Sequence, residues 1–217
     1  LDAAAEAVCR GIFGGAGQSC VAGSRLFVER DVYRAVRDRV VARARSLRVD
    51  LPDAEGVEMG PLVSREHRDR IERIVESARA RGARISSGGA RPQAERLRAG
   101  AFYEPTVVEG ITNGDPLAQE EVFGPVICAM PFDGEDDLLR QANDTVYGLA
   151  AGVWTGDYRR AWRIARGLEA GTVWVNSYKH LSIANPFGGF KQSGLGREKG
   201  VAGLRLYQQA KSIVFGL

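Results

Sequence analysis

The sequence predicts an α/β protein with a largely parallel sheet flanked by helices in three layers. Two observations predict this class. Runs rich in β-branched residues alternate with amphipathic helical segments in both halves of the chain, and glycine or proline turns separate the runs from the segments. With 217 residues, of which 44% are hydrophobic and 26% charged, the chain has the length and composition of a globular protein with its own core.

The helices are predicted from apolar residues that recur every three or four positions, and the strands from short β-branched runs. In the first half we expect a helix through residue 13, which ends at glycines, and a strand at 25–28. A second helix should run from the N-cap Asp31 to about residue 47. A third helix at 65–81 and a strand at 83–86 should follow. In the second half we expect an exposed connection at 88–100 and then strands at 102–109, 126–132 and 149–154. A helix at 157–170 and a strand at 172–175 should follow. The chain should end with a glycine-rich loop at 176–196, a short helix and a last strand at 212–215.

Charge and composition exclude several classes of protein. The net charge of +3 arises from 30 basic and 27 acidic residues spread along the chain, so we expect no nucleic acid and no membrane as partner. Three cysteines without paired spacing and only two histidines predict neither a disulfide framework nor a metal site, and they fit a cytoplasmic protein. Because the chain starts at Leu1 without methionine and enters a helical pattern at once, we expect it to be part of a longer polypeptide.

Cys20 stands on a turn of small residues, in Gly17-Gln18-Ser19-Cys20. A thiolate is a strong nucleophile, and a turn of this kind leaves both the sulfur and the neighbouring backbone N–H groups accessible. Cys9, on a helix, and Cys128, in an apolar run, are expected to be buried packing residues. On local chemistry alone, Cys20 is either a nucleophile or a third buried thiol.

Seven segments in fixed order resemble the NAD(P)-dependent aldehyde dehydrogenase superfamily and cover nearly the whole chain. The matching segments are Gly17-Gln18-Ser19-Cys20 with Ala22-Gly23-Ser24-Arg25, Gly60-Pro61-Leu62-Val63, Phe102-Tyr103-Glu104-Pro105-Thr106, Glu120-Glu121-Val122-Phe123-Gly124-Pro125, Tyr147-Gly148-Leu149-Ala150, Gly171-Thr172-Val173-Trp174-Val175-Asn176, and Pro186-Phe187-Gly188-Gly189-Phe190-Lys191 with Ser193-Gly194. The resemblance implies an aldehyde dehydrogenase catalytic domain at 1–196 and a C-terminal helix and strand at 197–217 that serve oligomerisation.

By the same resemblance, Cys20 attacks an aldehyde to form a thiohemiacetal, hydride passes to NAD or NADP, with NAD favoured, and the thioester is hydrolysed to a carboxylic acid. Glu121 then accepts hydrogen bonds from the nicotinamide ribose, Phe123 packs beside the nicotinamide, and His67 contacts the cofactor. Without the resemblance, these three would be a solvated acid, a core phenylalanine and a surface histidine.

The resemblance also implies that four residues line the aldehyde tunnel: Phe187, Leu181, Tyr178 and His180. Since most of these are apolar or aromatic, we expect a hydrophobic or aromatic aldehyde to be favoured over a small charged one. The family forms homo-dimers or homo-tetramers, and we expect the same here.

The chain lacks a glycine-rich dinucleotide fingerprint between a strand and a helix. In the family, the cofactor-binding domain, the general-base glutamate and an asparagine of the oxyanion hole precede the cysteine, so all three would lie before Leu1. We therefore expect the isolated chain to be inactive.

Three alternatives remain open at this point. One is a CoA-acylating aldehyde dehydrogenase, and another is a non-catalytic assembly protein. The third is a cysteine hydrolase with Gln18 as oxyanion donor and His67 or His180 as base. The sequence does not determine the aldehyde, the choice between NAD and NADP, or the oligomeric state.

Overall fold

The structure, a computed structural model, describes residues 1–216. Its α-helices are α1 (Asp2–Phe13), α2 (Arg30–Ser46), α3 (Arg65–Ala80), α4 (Glu95–Arg98), α5 (Pro116–Gln119), α6 (Gly134–Asn143), α7 (Tyr158–Gly167) and α8 (Gly200–Arg205). Its strands are β1 (Arg25–Glu29), β2 (Arg84–Ser87), β3 (Thr106–Glu109), β4 (Val126–Phe132), β5 (Tyr147–Gly148), β6 (Ala150–Val153), β7 (Thr172–Val175) and β8 (Phe190–Lys191).

A four-stranded sheet in the order β1-β4-β3-β2 forms the centre of the fold. Strands β1 and β3 both run parallel to β4, while β2 pairs antiparallel with β3 at the edge. Strands β6 and β7 form a separate parallel pair, and β5 pairs antiparallel with β8. The prediction of an α/β fold with a largely parallel sheet is confirmed.

The core lies where α1, α2 and α3 pack on this sheet. The three helices and the sheet each contribute side chains that are at most 1% exposed. These are Ile12, Phe13, Val40, Ile71 and Ile127. Complete burial of one such side chain stabilises the folded state by about 1.5–3 kcal/mol. Helix α1 is thereby fixed to the sheet, and the chain leaving its C-terminus enters the turn before Cys20.

Side-chain capping explains the starts of two helices. Ser64 accepts a hydrogen bond from the His67 N–H at the start of α3, and Asp157 accepts from two backbone N–H groups at the start of α7. Asp31, however, was wrongly predicted as an N-cap, because α2 already begins at Arg30. Asp31 lies in the first helical turn, where a carboxylate interacts favourably with the helix dipole.

Several boundaries differ from the sequence prediction. The strand expected at 102–109 begins only at Thr106, directly after Pro105, which has no N–H for a strand ladder. The connection at 88–100 contains α4, whose Leu97 is buried, and the helix expected at 157–170 ends at Gly167. Helices α5 and α6 and the short strands β5 and β8 were not predicted.

The strand predicted at 212–215 is wrong for the part of the chain that the structure describes. Ile213, Val214 and Phe215 are exposed and pair with no other strand among residues 1–216. A strand requires a hydrogen-bonding partner, and the described residues offer none to this segment. Leu217 lies outside the described residues, and the division into 1–196 and 197–217 stays a prediction.

Residues 1–216 lack two kinds of feature. No helix in this range combines the length and the apolar character needed to cross a bilayer. The same range contains no group of three or more His, Cys, Asp or Glu side chains placed to hold a metal ion.

Candidate active site

The loop that carries Cys20 is shaped by an unusual turn at the end of α1. Gly15, Ala16 and Gly17 all have positive φ angles of 63°, 54° and 73°, a conformation that costs an L-residue such as alanine about 1–2 kcal/mol. A Cβ built on Gly17 would lie 2.0 Å from the carbonyl oxygen of Gly124. Only glycine allows this approach, which seats the loop against the segment that precedes β4.

Cys20 faces a cavity of about 750 Å³. The residues that form the wall of this cavity also include Ser19, Gly23, Glu121, Phe123 and Tyr178. The Cys20 side chain is exposed, and neither its sulfur nor its backbone N–H has a hydrogen-bond partner within residues 1–216. Sulfur and N–H are therefore both available to a molecule in the cavity.

The other two thiols are buried in the protein and are not expected to react as nucleophiles. Cys9 and Cys128 are each 2% exposed, as expected of packing residues. Burial raises the pKa of both thiols to about 12, so that neither forms a thiolate near neutral pH. Among the three cysteines, Cys20 is the accessible one.

One side of the Cys20 loop contacts the segment that contains Glu121 and Phe123. The carbonyl of Phe123, a residue with φ of 55°, accepts a hydrogen bond of 2.7 Å from Nε2 of His67, and the two rings meet edge to face at 6.3 Å. Arg70 donates to the carbonyls of Val122 at 2.9 Å and Glu121 at 3.2 Å. These contacts all use backbone oxygens. The Glu121 carboxylate makes no ion pair with any residue of 1–216 and is exposed.

The other side of the loop contacts Tyr178. Its phenol donates a hydrogen bond of 3.0 Å to the carbonyl of Val21. Its side chain lies in a slot formed by three glycines from different segments. A Cβ on Gly11 or Gly152 would come within 2.9 or 2.6 Å of the ring, and a Cβ on Gly23 would come within 3.3 Å of the phenol oxygen. Burial raises the pKa of Tyr178 to about 12, so the phenol remains a donor at neutral pH.

The predicted site residues therefore divide into two groups. Cys20, Glu121, Phe123 and Tyr178 meet at one cavity, and His67 lies directly behind Phe123. Outside this cavity wall are the other tunnel candidates: His180 and Leu181 are exposed, and Phe187 packs under the ammonium of Lys199 at 5.4 Å. Their assignment to an aldehyde tunnel stays a prediction.

The geometry contradicts the cysteine hydrolase alternative. The Gln18 amide is already used within the protein, since its Oε1 accepts from the Val63 N–H at 2.8 Å and its Nε2 donates to the Gly15 carbonyl at 3.3 Å. No histidine of the described chain hydrogen-bonds to Cys20, and Nε2 of His67 is held by Phe123. The oxyanion donor and the base of that alternative are therefore both missing.

Comparison with known proteins identifies the family of the chain. Residues 1–213 match the aldehyde dehydrogenase family.

The chain belongs to the aldehyde dehydrogenase family.

Curated relatives of this aldehyde dehydrogenase chain include two bacterial enzymes. It is 40% identical to betaine aldehyde dehydrogenase of Brucella anthropi over 213 residues, which are 98% of this chain and 44% of the relative. It is 43% identical to betaine aldehyde dehydrogenase of Mesorhizobium japonicum over 203 residues, which are 94% of this chain and 42% of the relative. The chain thus spans less than half the length of the curated relatives it matches.

Solved structures confirm the aldehyde dehydrogenase fold. An aldehyde dehydrogenase variant from Bacillus cereus superposes with a TM-score of 0.93 at 40% identity, covering 98% of this chain and 43% of that one. Betaine aldehyde dehydrogenase from Staphylococcus aureus, in complex with NAD⁺, gives a TM-score of 0.92 at 39% identity, covering 95% of this chain and 41% of that one.

Sequence reasoning missed several residues that shape the aldehyde dehydrogenase cavity. Arg70 was not selected, because an arginine on an exposed helix is usually a solvated charge. Gly152 had a recognisable signal, since a glycine inside a strand pattern often marks the close approach of another group. Gly11 had none, because its contact with the Tyr178 ring joins segments that lie far apart in the sequence.

Proposed function

We propose that this chain carries the nucleophile and the substrate wall of an NAD(P)-dependent aldehyde dehydrogenase that oxidises an aldehyde to a carboxylic acid. One observation supports the proposal above all others. The accessible sulfur of Cys20 opens on a cavity with Glu121 and Phe123 on one side and Tyr178 on the other. An aldehyde beside Tyr178 and a nicotinamide beside Phe123 would both reach this sulfur.

The first chemical step uses groups of this chain alone. The Cys20 thiolate forms a bond to the carbonyl carbon, and the carbonyl π electrons move to the oxygen, giving a thiohemiacetal anion. The unpaired N–H of Cys20 is placed to hold that oxygen, and one such donor is worth about 3 kcal/mol in comparable sites. The covalent bond also fixes the carbon in place, which removes much of the entropic cost of the next step.

The residues of the other wall fit the nicotinamide end of the cofactor. The Glu121 carboxylate is exposed and free of ion pairs within residues 1–216, so it can accept two hydroxyl donors from a ribose. The Phe123 ring is 38% exposed, although large aromatic side chains are usually more deeply buried, and it offers a flat apolar face. When bound, NAD or NADP would accept the hydride that the thiohemiacetal carbon loses. NAD is favoured, because the Staphylococcus aureus relative is in complex with NAD⁺.

After hydride loss, Cys20 is joined to the acyl group as a thioester. Attack by water on the thioester carbon breaks the carbon–sulfur bond, and the two protons of the water end on the released carboxylic acid and on the Cys20 thiol. No carboxylate of the chain hydrogen-bonds to Cys20 within residues 1–216, and no glycine-rich fingerprint is present for a pyrophosphate. We therefore propose that the isolated chain binds NAD weakly and does not turn over aldehydes.

We further propose that the protein forms a homo-dimer or homo-tetramer and is located in the cytoplasm. Exposed apolar side chains near the end of the chain, including Val201, Leu204, Leu206 and Tyr207, offer a surface for a second copy. Three free cysteines fit a reducing compartment.

The test is an assay of the protein expressed from its complete gene, with NADH formation followed on mixing with NAD and an aldehyde. Cys20→Ala should abolish turnover, whereas Cys9→Ala, which removes a buried thiol, should leave it close to wild type. Turnover that survives in Cys20→Ala would refute the proposed nucleophile. The 217-residue chain assayed alone should form no NADH, and a rate similar to that of the complete protein would refute its proposed inactivity.

A further inference from the structure

A second cavity, of about 490 Å³, has no wall residue in common with the cavity at Cys20 in the described part of the chain. Its wall is formed by the end of α2, the end of β2, the segment that contains α4 and the segment that leads into β3. A cavity of this volume is in the size range of small-molecule sites. The proposed function assigns no role to it.

The part of the wall between β2 and β3 is held in one shape by close backbone contacts. Gly88 has a φ of 63°, and a Cβ built on it would lie 2.4 Å from the carbonyl oxygen of Pro105. Oγ1 of Thr106 accepts a hydrogen bond of 2.9 Å from the Gly89 N–H and donates one of 2.7 Å to the carbonyl of Glu104. The backbone that carries Glu104 is therefore fixed at the edge of the cavity.

The Glu104 side chain belongs to the cavity wall and has no counter-charge. Its carboxylate makes no hydrogen bond and no ion pair within residues 1–216. Partial burial raises its pKa, and no positive group acts in the opposite direction. A partly desolvated carboxylate without a partner gains free energy when a cation binds beside it.

Arg45 supplies the opposite charge in the same wall. Its Nη2 donates a hydrogen bond of 2.7 Å to the carbonyl of Ser86, which holds the guanidinium beside β2. A guanidinium has five N–H donors, and this bond uses one of them. Arg45 and Glu104 do not pair with each other, so the remaining donors of Arg45 are available to an anion in the cavity.

The third charged residue of the wall, Arg96, is already neutralised. It donates to both carboxylate oxygens of Asp50, at 3.1 and 2.6 Å. Ser87 also belongs to the wall, and it is only 7% exposed although its hydroxyl makes no hydrogen bond within residues 1–216. A buried hydroxyl in this state costs free energy unless it finds a partner. The cavity thus offers one positive group, one negative group and one hydroxyl.

We propose that this cavity is a binding site for a small zwitterionic amino acid, with the ligand's ammonium beside Glu104 and its carboxylate beside Arg45. The methylene groups of the ligand would contact the apolar residues of the wall, among them Leu47, Val49 and Leu97. A metal ion fits less well, since the described wall contains a single carboxylate and neither histidine nor cysteine. The inference does not depend on the proposed function, because the two cavities are formed by different residues.

Isothermal titration calorimetry of the protein expressed from its complete gene tests the proposal. The probes are glycine, 4-aminobutanoate and 6-aminohexanoate, in which the distance between the two charges increases. For each probe, the amine and the carboxylic acid with the same number of carbons carry only one of the two charges. At least one of the three amino acids should bind with a Kd below about 5 mM. It should bind at least about fivefold more tightly than its matched amine and its matched acid.

Variants locate the bound amino acid. Glu104→Gln and Arg45→Met should each raise its Kd at least about tenfold, because each removes a hydrogen bond between charged groups. Ser87→Ala should raise the Kd several-fold, since a hydroxyl gives a weaker bond. Glu55→Gln and Arg34→Met remove exposed charges outside the cavity wall and should bind as wild type does.

Three results would overturn the inference. If none of the three amino acids binds below about 5 mM, the cavity is not a site for this class of ligand. If the amine or the acid binds as tightly as the amino acid, the cavity does not recognise both charges. If the amino acid binds equally well to wild type, Glu104→Gln and Arg45→Met, it binds elsewhere on the protein. Each result leaves the proposed function standing, because none of these measurements uses dehydrogenase activity.

Discussion

The phenol of Tyr178 donates a hydrogen bond of 3.0 Å to the carbonyl of Val21, which joins two segments 157 residues apart at the position next to Cys20. The bond lies on the side of the loop at which we propose that the aldehyde binds. Because the phenol stays protonated at neutral pH, it fixes the direction of the peptide unit between Val21 and Ala22. The orientation of the candidate nucleophile therefore depends on a residue near the C-terminal end of the chain.

Removing that bond should reduce activity more than stability. In Tyr178→Phe the ring keeps its slot between the glycines, but the Val21 carbonyl loses its partner, at a cost of about 0.5–1.5 kcal/mol. We expect kcat/KM for an aldehyde to fall by up to about tenfold and the KM for NAD to stay unchanged. A rise in the KM for NAD with no change for the aldehyde would contradict the placement of Tyr178 on the substrate side.

The slot around Tyr178 can be tested with a matched pair of glycine substitutions. A Cβ at Gly152 would lie 2.6 Å from the Tyr178 ring, whereas a Cβ at Gly156 would meet nothing within 4 Å. Gly152→Ala should therefore displace the ring and lower kcat/KM by tenfold or more, on the order of the 1–3 kcal/mol that overpacking costs. Gly156→Ala should behave as wild type, and equal activity of the two variants would show that the slot does not matter.

The sequence predicted elements with strong periodicity and missed those defined by tertiary contacts. The strand at 126–132 and the strand at 172–175 were predicted with their correct bounds, because short apolar or β-branched runs between turns are typical of strands. Helix α6 was missed, since none of its residues is buried and its apolar face is short. The strand predicted at 212–215 has the right residue types but no partner within residues 1–216.

The site was predictable where a local motif defines it. Cys20 was selected because small residues around a cysteine are rare in a core, and the structure places it in the open. The roles of Glu121 and Phe123 came from the resemblance alone, since a pair of acids and a phenylalanine have no distinctive local pattern. The contact of Tyr178 with the Cys20 loop could not be predicted, because it joins residues 21 and 178, which lie far apart in the sequence.

The reactivity of the three thiols should follow their burial. Under limiting iodoacetamide, Cys20 should be alkylated first, because Cys9 and Cys128 are buried and their pKa values are raised to about 12. Mass spectrometry of peptides at increasing reagent concentration measures the order. Labelling of Cys9 or Cys128 at the same rate as Cys20 in the folded protein would contradict the structure, and the unfolded protein in urea, where all three should react alike, is the control.

Substitution of two adjacent glutamates tests the proposed contact between Glu121 and the cofactor ribose. Glu121→Gln keeps the shape of the side chain but removes the charge that would accept ribose hydroxyls, and a hydrogen bond to a charged group is worth about 1.5–3 kcal/mol. The KM for NAD should rise by at least about tenfold in the complete protein. Glu120→Gln removes the same charge one residue earlier and should leave the KM near wild type. If both variants weaken NAD equally, the effect is a general loss of negative charge and the assignment of Glu121 fails.

Alkaline pH should destabilise the fold through buried thiols and phenols. Burial raises the pKa of Cys128 from 9.0 to about 12 and that of Tyr33 from 10.0 to about 12. A folded-state pKa above the unfolded value means that the stabilisation is complete below pH 9 to 10 and is lost as the pH rises toward 12. The free energy of unfolding in urea should therefore be level from pH 7 to about 9 and then decline, with a limiting slope of about 1.4 kcal/mol per pH unit for each such group. Cys128→Ala should make this decline shallower, even though it lowers the stability at pH 7. An equally steep decline in the variant would show that Cys128 does not contribute to the alkaline transition.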